Sequence, residues 1–213
     1  MNGRTLDAGD FATWLRQMQL VLRGCSAGTD VPCGDCVGCC SSHWPVALRA
    51  EDEALVPLVP AWLLLEPEDA PEGVRYMGYR EDGTCPMLVK RQCRVYAQRP
   101  QTCRDFDCRI FTAAGIASAG KDKPLIDERL EAWRFRHASA EDLAVHEAIQ
   151  ATAAFLQGPA REVPGFHFPD APIAIAGLAL KAHPVFLNGN AEGRAAAELA
   201  RAVVDAARNF ERA

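Results

Sequence analysis

Apolar positions recur with helical spacing near both ends of the chain and lose that regularity in the middle. Phe11, Trp14, Leu15, Met18 and Leu22 share one face of a helix that starts near Asp10. Arg16, Gln17 and Gln19 break up the apolar positions and Asp7 and Asp10 precede them, so this is an amphipathic helix and not an export signal. Near the other end, Ser139-x-x-Asp142 has the form of a capping box and predicts a helix to Gln157, with Val145, Ile149, Thr152 and Leu156 as its buried stripe. Residues 158–172 are rich in Pro and Gly and read as a long loop. Residues 173–180 are a short apolar run, either strand or buried helix. Asn190 stands where it could cap a final Ala-rich helix that turns Leu199, Val203, Ala206 and Phe210 inward.

The middle of the chain offers shorter signals. Residues 46–48 suggest a strand and 50–56 a helix, while 74–80 and 84–89 are expected to pair as a hairpin across Glu81-Asp82-Gly83. Asp-Gly favours such a tight turn. The predicted fold class is α+β: a helix-rich single domain with a short β-hairpin, a loop-built metal site and a mostly helical C-terminal half. Three stretches compose it: an N-terminal helix over 1–24, a cysteine region over 25–111, and a helical region over 112–213. That last region could pack over the cysteines, bind a partner protein, or complete the core.

Composition excludes some functions. With 213 residues, 49% hydrophobic and 24% charged, the chain has the make-up of an ordinary soluble protein. A net charge of −5 argues against general nucleic-acid binding. No apolar run approaches the ~20 residues of a membrane span, so no membrane association is expected. The expected location is the cytoplasm, where thiols stay reduced.

Cysteine placement changes the picture most. Eight of the nine cysteines lie between positions 33 and 108: Cys33, Cys36, Cys39, Cys40, Cys85, Cys93, Cys103 and Cys108. In a reducing compartment, thiols this dense are metal ligands before they are disulfides. Thiolates suit zinc and the irons of iron–sulfur clusters. The run Cys33-x2-Cys36-x2-Cys39 has the spacing that supplies three thiolates to a cubane cluster, and Cys85-Pro86 echoes a more distant ligand. The adjacent pair Cys39-Cys40 suits two metals, or one ligand beside an outer residue, because neighbouring side chains point apart. An iron–sulfur cluster is therefore placed ahead of zinc, which stays as the alternative cofactor.

Other residues are read more plainly. Cys25 lies outside the pattern. His43 is a candidate ligand but is more simply an exposed or hydrogen-bonding residue. Lys90, Arg91, Arg94, Arg99, Arg104 and Arg109 read as a solvated basic face, and Asp105 and Asp107 as solvated carboxylates. Tyr96, Arg99 and Pro100 would shape the turn that returns Cys103 toward Cys93. His137, His146, His167 and His183 suggest no constellation, and neither a phosphate-binding glycine loop nor a Ser-His-Asp or Cys-His catalytic set is evident. Whether the protein is an enzyme stays open.

Three ordered segments carry a resemblance: Cys33-Gly-Asp-Cys-Val-Gly-Cys-Cys40, Cys85-Pro-Met-Leu88, and Cys93-Arg-Val-Tyr-Ala-Gln-Arg-Pro-Gln-Thr-Cys-Arg-Asp-Phe-Asp-Cys108. Together they resemble the YkgJ-type cysteine-cluster proteins, a family described as zinc- or iron-chelating. The resemblance covers about residues 33–111 and implies metal chelation by the eight cysteines. Three functions follow as expectations: an iron–sulfur protein with a redox or accessory role, a zinc-stabilised interaction module, or a metal-dependent enzyme or metal-delivery protein.

Overall fold

In the computed structural model, which describes residues 5–120 and 123–212, the chain is α+β. Its elements in chain order are β1 (Leu6–Asp10), α1 (Phe11–Leu22), β2 (Val46–Leu48), β3 (Leu64–Leu65), β4 (Arg75–Met77), β5 (Leu88–Val89) and β6 (Gln92–Cys93). Then come α2 (Gln101–Asp105), α3 (Arg109–Ala113), α4 (Pro124–Ala132), β7 (Trp133–Arg136), α5 (Ala140–Gln157), α6 (Pro172–Ala182) and α7 (Ala196–Arg212). Among the described residues two compact units form, one from 5–26, 108–120 and 127–212, the other from 27–107 and 123–126.

The first unit is built on helices. Asp10 caps α1 by accepting a hydrogen bond from the Thr13 amide at 2.9 Å, and Phe11, Trp14, Leu15 and Met18 are buried as their spacing predicts. Ser139 and Asp142 form the predicted capping box of α5, which ends at Gln157. Ile149, Thr152 and Leu156 on that helix are fully buried, and Thr152 satisfies its hydroxyl on the Ala148 carbonyl at 2.7 Å. The apolar run at 173–180 is the helix α6. Pro172 opens it, where the missing N–H costs nothing, and alanine-rich sequence buried against α5 and α7 favours it over a strand.

Three readings need correction in this unit. Asn190 does not cap α7, which starts at Ala196; its side chain instead donates to the Pro184 carbonyl at 3.3 Å. Leu199, Val203 and Phe210 of α7 are nevertheless buried. A parallel pair, β1 with β7, joins Leu6–Asp10 to Trp133–Arg136, which neither segment's pattern announced; a bulge between Asp7 and Gly9 breaks the alternation. The histidines are not all scattered either: His137 Nε2 and His146 Nδ1 lie 2.8 Å apart, with Phe11 stacked on His146 at 4.5 Å.

The second unit has a three-stranded antiparallel sheet with β4 between β2 and β3. Val46, Leu48, Leu55, Val59, Leu63, Met77, Met87 and Val95 make its apolar core together with Cys85. Residues 50–58 are a 3-10 helix carrying Pro57, where a longer helix would lose a hydrogen bond. The expected hairpin of 74–80 with 84–89 is not formed. The turn at Asp82-Gly83 exists, closed by the Gly83 amide on the Arg80 carbonyl at 2.9 Å, but β4 spends its hydrogen bonds on β2 and β3. The short hairpin is instead β5 with β6, across Lys90 and Arg91, both at positive φ (48° and 63°). Neither residue is a usual occupant of such a mirror-image turn, so the sequence concealed it.

Candidate metal centre

Backbone hydrogen bonds bring the cysteine-bearing segments of the second unit together. The Cys36 amide donates to the Cys33 carbonyl at 3.0 Å, which tightens the first two-residue gap into a turn. Gly38 allows the next gap to run against 125–126: a Cβ there would lie 3.1 Å from Ile126 Cγ1 and 3.2 Å from the Leu125 carbonyl oxygen. The Cys85 amide donates to the Cys40 carbonyl at 2.7 Å and joins the first segment to the second. Cys93 ends the β5–β6 hairpin, paired with Leu88. Cys103 lies on α2, which follows Pro100. There the Cys103 amide returns to the Pro100 carbonyl at 2.9 Å, and Arg99 lies over the Tyr96 ring at 4.3 Å.

The result is a group of thiols in one another's electrostatic field. Cys85 belongs to the buried core and Cys40, Cys93 and Cys103 pack against it. Burial pushes the Cys40 thiol up to about 12, helped by charge on Cys85, Cys93, Cys33 and Cys36. Cys103 is likewise pushed up to about 12 by burial, then by Cys85, Cys40 and Cys93. Cys85 is raised chiefly by burial, against the opposing pull of the Met87 N–H, which reaches its sulfur at 3.4 Å. A similar N–H···S contact runs from Gly38 to Cys36 at 3.4 Å. Such amide contacts are what thiolate centres use to spread negative charge.

Not all eight predicted ligands share this setting. Cys39 is exposed, while its neighbour Cys40 is half-buried, so the two adjacent thiols have different surroundings. Cys108 falls in the first unit, buried, with the Trp133 indole N–H on its sulfur at 3.4 Å. Cys25 is exposed. His43 is exposed too, at positive φ, with its ring stacked on Tyr79 at 6.1 Å. The basic and acidic neighbours divide: Lys90, Arg91 and Arg94 are exposed as expected, whereas Arg109 is buried and donates to the Ala8 carbonyl at 3.0 Å. Asp107 is also buried and not a solvated carboxylate.

Among the described residues, no three His, Cys, Asp or Glu side chains already stand around a single metal position. The fit to a metal rests on donor chemistry. Buried thiols that raise one another's pKa resist ionisation until a cation offsets the charge, and zinc or iron supplies that offset while displacing the protons.

Sequence reasoning missed two residues of the site. Tyr79 donates from its hydroxyl to the Cys39 carbonyl at 2.7 Å. Arg80 donates to the carbonyls of Cys85 (3.1 Å), Pro86 (2.8 Å) and Leu88 (3.3 Å). Their place just before the Asp82-Gly83 turn was visible; their reach to both cysteine segments was not.

These features define a cysteine-rich metal-binding class of domain. Residues 32–126 match the model of the CxxCxxCC family, described as "Putative zinc- or iron-chelating domain", which agrees with the resemblance read from the sequence. No curated protein and no solved structure matches the chain. No helix among the described residues is long and apolar enough to cross a membrane.

Proposed function

We propose that the cysteine unit holds a thiolate metal centre, with Cys40, Cys85, Cys93 and Cys103 at its heart and Cys33 and Cys36 completing the donor set. The observation that carries this reading is the packing of four thiols, Cys40, Cys85, Cys93 and Cys103, in or against one apolar core, with Cys33 and Cys36 near enough to act on Cys40. Six thiolates exceed the four that close a tetrahedral zinc site, which favours a polynuclear centre. An iron–sulfur cluster is the first reading. Bound there, it would supply one-electron redox chemistry, and the chain's own part is to hold thiolates, direct amide N–H groups at sulfur and exclude water. Cys39 and Cys108 lie at the margin of this proposal, one exposed and the other held by Trp133.

Zinc is the second reading, favoured by one feature: Cys33 and Cys36 form a two-residue pair separated by a long interval from Cys85 and Cys93, as in paired zinc sites. The experiment is metal and acid-labile sulfide analysis of full-length protein purified without oxygen. Iron with matching sulfide supports the first reading. Zinc without sulfide supports the second, and a metal-free folded chain refutes both. A cytoplasmic location and a protein partner belong to the same proposal, since a redox or accessory centre acts on something else.

A further inference from the structure

Two consecutive residues grip both halves of the cysteine site. Arg80 places Nη1 at 3.2 Å from Thr84 Oγ1, 3.1 Å from the Cys85 carbonyl and 3.3 Å from the Leu88 carbonyl, while Nη2 donates to the Pro86 carbonyl at 2.8 Å. One guanidinium thus collects the carbonyls of a five-residue loop around itself. The planar fork of arginine can do this and the point charge of lysine cannot. On the adjacent residue, the Tyr79 hydroxyl donates to the Cys39 carbonyl at 2.7 Å and its ring is half-buried beside the thiols. The two gripped segments then meet directly, through the Cys85 amide on the Cys40 carbonyl at 2.7 Å.

We propose that Tyr79 and Arg80 are positioning residues: a clasp just after β4 that sets the spacing between Cys40 and Cys85 and so the affinity and geometry of the metal centre. The inference rests on the thiolate reading of the site. It adds that the spacing between Cys40 and Cys85 comes from a neutral hydroxyl and a guanidinium fork that touch backbone; Arg91 touches backbone too, at the Asp35 carbonyl (3.3 Å), but between Cys33 and Cys36. Lys90 and Arg94 are exposed, and the Arg94 guanidinium is spent on the Leu58 carbonyl at 3.2 Å.

The test loads full-length wild type, Arg80→Lys, Arg80→Gln, Tyr79→Phe and the control Lys90→Gln with cobalt(II). It records thiolate-to-cobalt absorption, ligand-field bands and the rate of cobalt loss to EDTA, with unfolding midpoints measured in parallel. Both Arg80 variants should lose cobalt about 10-fold faster with altered ligand-field bands, the usual scale for residues behind metal ligands. Lysine should not rescue, and Lys90→Gln should match wild type. Arg80 variants that bind, absorb and release cobalt like wild type overturn the clasp while leaving the thiolate reading intact. A wild type that takes up no cobalt overturns that reading and the clasp with it. Should the Arg80 variants not fold, Tyr79→Phe decides: release faster than wild type in a fully folded protein is expected, and an unchanged rate and spectrum overturns the proposal.

Discussion

The amide of Cys85 donates to the carbonyl of Cys40 at 2.7 Å, so two cysteines 45 positions apart are tied by backbone before any metal is considered. This bond fixes segments and leaves the thiol side chains to turn. It explains how a chain can gather sulfur donors without closing them around one point.

Burial separates the cysteines by expected cost. Cys40→Ser and Cys103→Ser should each remove most of the bound metal, because both thiols sit in the mutual field; Cys39→Ser, at an exposed position, should retain far more. Metal per folded chain, measured by elemental analysis, checks the ranking. Equal loss at all three would remove the distinction between Cys39 and Cys40.

Two glycines should differ in what they tolerate. Gly28 (φ +121°) would place a Cβ 2.5 Å from Arg104 Cβ and 2.8 Å from the Arg104 carbonyl oxygen, beside the Thr29 amide bond to that same oxygen at 2.7 Å. At Gly83 (φ +79°) the nearest neighbours of a Cβ would be side-chain atoms of the exposed His43 ring. Both substitutions carry the left-handed backbone cost of about 1–2 kcal/mol, and Gly28→Ala adds displacement of the backbone that carries Cys103. Urea unfolding should therefore rank Gly28→Ala as clearly the more damaging. Adding His43→Ala to Gly83→Ala should recover part of the loss.

The β5–β6 turn is suboptimal as it stands. Lys90 and Arg91 both hold positive φ, and replacing them by Asn and Gly should raise stability by about 1–2 kcal/mol, since those residues take this conformation at little cost. Thermal unfolding of the double variant checks it; a lower midpoint would show that the turn is not what limits this hairpin.

The hairpin also shows why legibility was uneven. Helices with caps and a sustained stripe, α1 and α5, were readable in their caps and in most of their buried faces because local sequence determines them, although Leu22 and Val145 are only half-buried. The partner of 74–80 was not, since pairing depends on which strands compete for β4, and two distant segments outbid the nearer one. The list of candidate thiols came directly from spacing. Burial, which divides Cys40 from Cys39 and makes Asp107 and Arg109 interior residues, did not, because it is a property of the folded neighbours.

A pH response should come from the first unit. Burial, then the neighbouring His137, lowers His146 to about 4, with Gln150 Nε2 3.2 Å from its other nitrogen. The unfolded histidine, near 6.5, binds a proton before the folded one does, so its contribution is complete above pH ~6.5 and lost as pH falls toward 4. Allowing for its partial exposure, the effect is on the order of 1–2 kcal/mol. Urea midpoints between pH 7.5 and 4.5 should fall in the wild type and fall less in His146→Gln; identical slopes would contradict the assignment.

The most direct measurement is X-ray absorption at the metal edge of the full-length protein as purified. A dominant shell of sulfur at about 2.3 Å, the thiolate distance for zinc and close to that for iron, is the predicted result, with an iron–iron contribution if the centre is an iron–sulfur cluster. A first shell made of oxygen and nitrogen alone would contradict the thiolate centre, whatever metal it contained.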